Sequence, residues 1–154
     1  MAKATPFQLD DQDGVIFDLY QELKSGPLVI AFYPGDFTPV CTKQLCSYRD
    51  QFDPLKSFGI KMVGISADSV DKHAEFAQSS RFPFRLLSDP DKKVAKAFGC
   101  TSKWILGAVS RGVFVIDTQG EIIYQKVEAT PVTHMNASEL SDVLTELQKN
   151  GVLR

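Results

Sequence analysis

The organisation of this chain is decided by residues 28–41, which read Leu28-Val29-Ile30-Ala31-Phe32-Tyr33-Pro34-Gly35-Asp36-Phe37-Thr38-Pro39-Val40-Cys41. The first six residues form a continuous apolar run, which is typical of a strand covered on both faces. Pro34 and Gly35 end the run, and Pro39 suits the first turn of a helix, where its missing N–H group costs nothing. The segment therefore predicts a buried strand, a short rigid loop and a helix that carries Cys41 in its first turn.

The helix predicted from Pro39 to about residue 58 has a single apolar stripe. Pro54 should end or kink this helix late in its course. The stripe follows from residues that recur at steps of four, three, four and three, namely Cys41, Leu45, Tyr48, Phe52 and Leu55.

Cys41 is the strongest candidate for a functional residue. A thiol in the first turn of a helix faces free backbone N–H groups and the positive end of the helix dipole. Both favour the thiolate, which is the reactive form and a minor species for an unperturbed thiol of pKa about 8.5. Cys46 follows five residues later. The spacing alone is equally compatible with an ordinary core cysteine, but the pair indicates redox chemistry on sulfur.

The other elements follow from alternation and from turn residues. Residues 7–19 predict two short strands around a polar turn, and residues 61–66 predict a further strand. Asp68, with Asp71 three residues on, resembles the cap of a helix that runs to about residue 80. Residues 90–98 predict a short helix that Gly99 closes.

The C-terminal part of the chain predicts a hairpin and a helix. Residues 113–116 and 122–124 form the two strands of the hairpin. Asn136 and Glu139 have the spacing of a capping box and open the last helix. The whole order predicts an α/β fold with a mixed central sheet flanked by helices, because the βαβ crossover gives parallel pairing and the hairpin gives antiparallel pairing.

Composition limits the class of protein. With 154 residues, 44% apolar and 23% charged, the chain is expected to form one domain over residues 1–154. A net charge of −2 gives no electrostatic case for nucleic acid or an anionic membrane. The longest apolar run is far too short to span a bilayer, and the first residues do not resemble a signal peptide. Three cysteines are too few for a disulfide scaffold, so a reducing cytoplasm is the expected compartment.

A metal or nucleotide cofactor is not expected. Cys41 and Cys46 lack the two-residue spacing of zinc ligands, and no glycine-rich phosphate motif occurs. His73 is expected on a solvated helix face, and His134 lies in the loop before the last helix. The two charged residues near Cys41, Asp36 and Lys43, are expected to be solvated rather than catalytic.

Pro34-x-x-x-Thr38-x-x-Cys41 resembles the active-site motif of peroxiredoxins. With Phe32-Tyr33 before it, with Cys46 and Arg49-Asp50 after it, and with Ser110-Arg111-Gly112, the chain is most similar to the bacterioferritin comigratory protein (PrxQ) subfamily over nearly its whole length. The resemblance implies a thioredoxin-like fold and an antioxidant peroxidase for hydrogen peroxide and alkyl hydroperoxides. It implies no cofactor beyond the thiols, and a monomer.

The resemblance also implies roles for individual residues. Cys41 would attack the peroxide and become a sulfenic acid, and Cys46 would resolve it to an intramolecular disulfide that thioredoxin or a similar dithiol reduces. Gln44 would support the arginine of the site. Thr38 would hydrogen-bond the thiolate and orient the peroxide. Pro34 would shield the sulfenic acid from over-oxidation, and Arg111 would stabilise the thiolate and polarise the peroxide.

Helix geometry adds a constraint on the disulfide. Five residues of α-helix separate the Cα atoms of Cys41 and Cys46 by roughly 8–9 Å, beyond the ~7 Å limit for a disulfide. The first turns must therefore unwind, and oxidation is expected to disorder the chain from about residue 38 to 50. Cys100 is expected to be a buried, inert thiol.

Two other functions stay open at this point. A thiol–disulfide oxidoreductase without peroxidase activity would also use two cysteines, although Cys-x-x-Cys is the usual spacing. A non-enzymatic domain in which the cysteine pair acts as a redox switch would react with peroxide no faster than a free thiol.

Overall fold

The computed structural model describes residues 2–101, 108–128 and 133–153, and within residues 39–41 it describes the backbone only. In chain order the elements are β1 (Gln8–Asp11), β2 (Ile16–Asp18), α1 (Leu19–Leu23), β3 (Leu28–Phe32), α2 (Pro39–Asp50), α3 (Phe52–Lys56), β4 (Lys61–Ser66), α4 (Val70–Ser80), β5 (Arg85–Ser88), α5 (Lys93–Ala97), β6 (Gly112–Ile116), β7 (Ile122–Val127) and α6 (Ala137–Lys149).

These strands form one mixed sheet in the order β2-β1-β5-β4-β3-β6-β7. β3 lies parallel to β4 and antiparallel to β6, and β4 lies parallel to β5. The late hairpin β6–β7 is antiparallel. The predicted α/β fold with a mixed central sheet is confirmed.

β3 separates two hydrophobic cores, because successive side chains of a strand point to opposite faces. Val29 and Ala31 face the core that also holds residues of α2, α4 and α6. Ile30 and Phe32 face the core that holds residues of α1 and α5. All five residues of the strand are buried, as the continuous apolar run predicts.

The predicted long helix is divided in two. α2 ends at Gln51, whose φ of −112° and ψ of 24° are not helical, and α3 begins at the next residue. The break lies three residues before Pro54. In an uninterrupted helix the ring of Pro54 would clash with the carbonyl group of the residue four positions earlier. The stripe on this segment is buried as predicted at Leu45, Tyr48 and Leu55.

Three further elements differ from the sequence prediction. The short helix α1 was not predicted, and Leu19, expected at the end of the second strand, is its first residue. β5 was not predicted, because it has only four residues and carries the charged Arg85 among leucines. α4 is capped by Ser69, whose side chain accepts a hydrogen bond from Lys72 N, so the prediction that Asp68 caps this helix is wrong. The predicted capping box of α6 is confirmed, since Asn136 and Glu139 each accept from the other's backbone N–H. No helix among the described residues is long and apolar enough to cross a membrane.

α2 is anchored to α6 at its C-terminal end. Tyr48 is fully buried, and its hydroxyl donates to Met135 O while it accepts from Gln44 Nε2 at 3.1 Å. Ser47 Oγ accepts from Ala137 N at 2.8 Å. These contacts fix the second half of α2 against the first turn of α6.

We predict that Tyr48→Phe lowers the free energy of unfolding by about 1–3 kcal/mol, because the change leaves Met135 O and the Gln44 amide buried without partners. Urea unfolding measures this loss. Tyr124→Phe is the matched control, since no hydrogen bond to the Tyr124 hydroxyl is found within the described residues. An equal loss in both variants would contradict the anchoring role of Tyr48.

Candidate active site

The carboxyl ends of three parallel strands meet at one edge of the sheet. β3 leads into Tyr33 and Pro34, while β4 and β5 end at Ser66 and Ser88, which are paired in register. Ser88 Oγ donates to Asp68 O at 2.6 Å and joins the segments that follow β4 and β5. The loop that precedes Cys41 therefore lies at this edge.

Gly64 in β4 makes room for Tyr33. A Cβ atom at Gly64 would lie 3.1 Å from Tyr33 Cε1 and 3.0 Å from Leu86 Cδ2, which is tighter than ordinary packing. The absence of a side chain lets the ring of Tyr33 lie directly against the neighbouring strand. The first residue after β3 is therefore buried, and the loop begins at Pro34, which is exposed.

Arg111 reaches the same edge from the antiparallel neighbour of β3. Phe32 pairs with Gly112, so the next residues outward, Tyr33 and Arg111, lie side by side. Arg111 is only 5% exposed. The structure thus brings the arginine that the sequence resemblance singles out close to the loop that begins at Pro34.

Thr38 is the N-cap residue of α2, and Pro39 occupies the first helical position. Cys41 is the third residue of the helix, as predicted, and its side chain lies outside the described part of the chain. Thr38 Oγ1 donates to Gly35 O at 3.0 Å and makes no side-chain cap. In this geometry the hydroxyl proton is used in the bond to Gly35 O, and the lone pairs of the hydroxyl oxygen can still accept a hydrogen bond.

Cys46 is half-buried on α2 and has a free thiol. Burial raises the pKa of the Cys46 thiol, and the nearby Arg49 guanidinium offsets part of this rise. Arg49 donates to Ser80 O at 2.7 Å and to Asp50 Oδ1 at 2.9 Å, which holds its charge near α2. The thiol is therefore mainly protonated at neutral pH.

Gln44 is buried on α2, three residues after Cys41. Its Nε2 donates to the Tyr48 hydroxyl, and this orientation of the amide is fixed because that hydroxyl already donates to Met135 O. Oε1 is buried and has no hydrogen-bond partner among the residues that the structure describes. The hydrogen bond of Nε2 thus links Gln44, through Tyr48, to Met135 just before α6, while Oε1 remains available as an acceptor.

Two predictions about charged side chains are wrong. His73 is 0% exposed and Asp36 is 3% exposed, whereas both were expected in solvent. His73 Nδ1 lies 2.6 Å from Asp36 Oδ2, and His73 Nε2 lies 2.9 Å from Leu87 O. Each side chain satisfies the other, which is the usual condition for burying ionisable groups. Lys43 is exposed as expected.

Sequence reasoning could have found His73 but not Asp36. His73 stands three residues before Phe76, so helical spacing places both on one face of α4. The burial of Asp36 depends on a partner 37 positions away, which no local pattern contains.

Asp36, Asp68 and His73 bring their potential ligand atoms within 4.8 Å of one another. The donor set does not fit a metal ion. His73 Nε2 faces a carbonyl oxygen and must carry a proton, while Nδ1 is turned to a carboxylate at hydrogen-bond distance. The imidazole therefore has no lone pair to give to a cation.

Cys100 is buried, and its thiol donates to Ser110 O at 3.1 Å. A Cβ atom at Gly112 would lie only 2.6 Å from Cys100 Sγ, so the thiol fills the space beside β6. Burial raises the pKa of Cys100 to about 12. The predicted burial of Cys100 is confirmed.

Comparison with known proteins agrees with this geometry. The family model described as AhpC/TSA family matches residues 1–125, and the chain belongs to this family. The chain is 39% identical over 133 residues to the chloroplastic peroxiredoxin Q of Sedum lineare, covering 85% of this chain and 70% of that protein. It is 42% identical over 120 residues to the putative peroxiredoxin MT1643 of Mycobacterium tuberculosis, covering 76% and 77%.

Solved structures show the same relationship. The peroxidoxin BcpB of Mycobacterium tuberculosis superposes with a TM-score of 0.84 at 34% identity, covering 96% of this chain and 95% of that one. The bacterioferritin comigratory protein of Xanthomonas campestris gives 0.79 at 27% identity, with 94% and 91% covered. These similarities confirm the PrxQ/bacterioferritin comigratory protein subfamily, the thioredoxin-like fold and a thiol-dependent peroxidase. The chain spans 54% of the Triticum aestivum relative, so it matches only part of some plant proteins.

We predict that Cys100 does not react with a thiol reagent in the folded protein, because it is buried and its pKa is raised to about 12. In a Cys41→Ser, Cys46→Ser variant, iodoacetamide at pH 8 should leave the mass unchanged until denaturant is added. Intact mass spectrometry makes the measurement. Alkylation of the native double variant at the rate of a free thiol would contradict the assignment.

Proposed function

We propose that the chain reduces hydrogen peroxide and alkyl hydroperoxides through Cys41, and that Cys46 resolves the product to an intramolecular disulfide. The position of Cys41 as third residue of α2, at the sheet edge where Thr38 and the buried Arg111 also lie, supports this role most strongly. A helix N-terminus favours a thiolate at Cys41, and the guanidinium of Arg111 would favour it further.

The first step transfers oxygen to sulfur. The Cys41 thiolate attacks one peroxide oxygen, the O–O bond breaks, and the other oxygen leaves with the electron pair and takes up a proton as water or an alcohol. Negative charge grows on the departing oxygen. Arg111 and the N–H groups at the start of α2 would stabilise this charge, and such electrostatic stabilisation is usually the largest contribution of a preorganised site.

Thr38 and Pro34 would shape the site around the sulfur. Thr38 Oγ1 donates to Gly35 O, so we assign to this oxygen the acceptance of a hydrogen bond from the incoming peroxide. Pro34 follows the buried end of β3 and would shield the sulfenic acid from further oxidation. Gln44 Oε1 is buried without a partner in the described part of the chain, and it would accept a hydrogen bond that orients Arg111.

The second step joins the two cysteines. The Cys46 thiolate attacks the sulfenic sulfur of Cys41, the S–O bond breaks, and the oxygen leaves as water after protonation. α2 must unwind for this step, and the free energy needed to unwind it is larger for its second half than for its first. Leu45 and Gln44 are buried and Tyr48 is anchored to α6, whereas Lys43 is exposed. Withdrawing Leu45 alone would cost about 1.5–3 kcal/mol. We therefore propose that residues 39–43 unwind, a narrower range than residues 38–50.

The rest of the cycle follows from the family. Thioredoxin or a similar dithiol would reduce the disulfide by exchange. We propose a monomeric antioxidant enzyme with one domain over residues 1–154, in a reducing cytoplasm, where glutathione and thioredoxin keep thiols reduced. The names of the plant relatives place those proteins in chloroplasts.

Stopped-flow reaction with hydrogen peroxide, followed by intact mass, tests the proposal. The wild type should react far faster than a free thiol and lose two hydrogens on forming the disulfide. Cys41→Ser should be inactive, because it lacks the attacking sulfur. Cys46→Ser should react equally fast and stop at the sulfenic acid or a higher oxide.

Cys100→Ser is the matched control for this experiment and should behave as the wild type, because Cys100 is buried in the core on the α1 and α5 face of the sheet, whereas α2 packs on the other face. A wild-type rate equal to that of a free thiol would refute the peroxidase and favour thiol–disulfide exchange or a redox switch. A disulfide formed in Cys46→Ser would refute the role of Cys46.

We predict that the resolving step accelerates as pH rises above 7. The pKa of Cys46 is raised by burial, so the protonated thiol dominates at neutral pH and the attacking thiolate increases with pH. Arg49→Gln should slow this step about two- to tenfold at pH 7, since it removes the charge that favours the thiolate. Rapid-quench mass spectrometry of the disulfide at several pH values checks both effects. Lys43→Gln is the control, and a rate independent of pH would contradict the assignment.

A further inference from the structure

The loop between β3 and α2 is hydrogen-bonded to a largely buried polar cluster whose side chains take no part in the peroxidase steps. Asp36 N donates to Asp68 Oδ2 at 2.7 Å, and Ser66 Oγ donates to the same oxygen at 2.8 Å. Asp68 also pairs with Lys72 Nζ at 3.1 Å on the solvent side. The backbone of the loop is thus bonded to the segment that joins β4 to α4.

The Asp36 carboxylate has a second set of partners. Tyr33 donates its hydroxyl proton to Asp36 Oδ1 at 2.6 Å, and His73 Nδ1 lies 2.6 Å from Oδ2. Burial, and next the charge of Asp36, raise the pKa of Tyr33 well above its ordinary value, so Tyr33 keeps its proton. Both carboxylate oxygens therefore meet donors, one from the residue that follows β3 and one from α4.

The hydrogen bonds require a proton between Asp36 and His73. Leu87 O can only accept, so His73 Nε2 carries a proton. Two acceptors cannot approach to 2.6 Å, so a second proton lies between Nδ1 and Oδ2. These hydrogen bonds are made either by an imidazolium and a carboxylate or by a neutral imidazole and a protonated carboxyl, and neither pair has a net charge. The hydrogen bond that Tyr33 donates to Oδ1 stabilises the carboxylate and so favours the ion pair.

A hydrophobic contact completes the attachment. Phe37 has a φ of 63°, a left-handed conformation that is costly for an aromatic residue. Its ring lies 4.9 Å from that of Phe76, centroid to centroid, and Phe76 follows His73 by three residues on α4. Phe37 nevertheless stays 49% exposed. The unfavourable backbone is maintained because the bonds of Asp36 on one side and the Phe76 contact on the other fix the turn.

We propose that Asp36 and His73 are positioning residues for the peroxidase: their buried ion pair clamps residues 34–38 to α4 and so fixes Thr38 and the first turn of α2, two residues further along the chain. The clamp stays closed while residues 39–43 unwind, and it sets the N-terminal limit of that motion. The role in catalysis rests on the proposed function of Cys41, whereas the ion pair itself does not.

Two substitutions of Asp36 separate the clamp from a general effect on folding. Asp36→Ala removes the carboxylate to which Tyr33 and His73 are bonded. Asp36→Asn can accept from Tyr33 through Oδ1 and donate to the unprotonated Nδ1 of His73, so it keeps the hydrogen bonds without the shared proton. His134→Gln is the matched control, because His134 is the only other histidine of the chain.

Nitrogen-15 NMR of labelled histidine and peroxide kinetics give independent readouts. In the wild type at pH 7, both ring nitrogens of His73 should show one-bond couplings to protons. In Asp36→Asn only Nε2 should do so. Asp36→Ala should slow the reaction with hydrogen peroxide about ten- to a hundredfold, with faster exchange of the residue 36 amide, and Asp36→Asn should recover most of that rate.

The possible failures are distinguishable. An unprotonated Nδ1 in the wild type would overturn the ion pair, whatever the kinetics. A folded Asp36→Ala protein that reacts with peroxide as fast as wild type would overturn the positioning role, as would an Asp36→Asn protein as slow as Asp36→Ala. A wild type that reacts only like a free thiol overturns the proposed function and with it the catalytic role, while the NMR result still decides the clamp.

Discussion

The constraint on which the site depends is the complete burial of β3 between β4 and β6. A strand bonded on both edges and packed on both faces has no freedom at its end, so the chain leaves the sheet at one point, Tyr33, and in one direction. The position of this exit determines where the loop, the N-cap Thr38 and the first turn of α2 lie. Arg111 reaches the same point because β6 pairs with β3 in a fixed register.

α2 is held unevenly, and this unevenness fits the chemistry proposed for it. Its C-terminal half is bound to α6 through Ser47 and Tyr48, and Leu45 is part of the core. Its first turn follows a loop that is bonded to α4 and has the exposed Lys43 on its outer side. A helix that is held by core contacts at one end and follows a hydrogen-bonded loop at the other can unwind between these two points without loss of the fold, because stability is not uniform along a chain.

Much of this could be predicted from the sequence, since local patterns encode it. The apolar run of β3, the position of Cys41 in a first helical turn and the capping box at Asn136 depend on neighbours within a few residues. β5 was missed because four residues with Arg85 among them give no clear alternation. The burial of Asp36 could not be predicted for a different reason. It depends on hydrogen bonds with Tyr33 and His73, and His73 lies close to Asp36 only in the folded chain.

Amide hydrogen exchange, compared between the reduced and the disulfide forms, tests most directly whether residues 39–43 unwind between two fixed points. The amides of residues 42–47 bond to carbonyls of residues 38–43 in a helix and should lose protection on oxidation. The amides of Asp36 and of residues 48–50 should keep theirs, since Asp68 and the contacts with α6 remain. Identical exchange in the two forms, or a loss that extends through residue 50 or back to Asp36, would contradict the account.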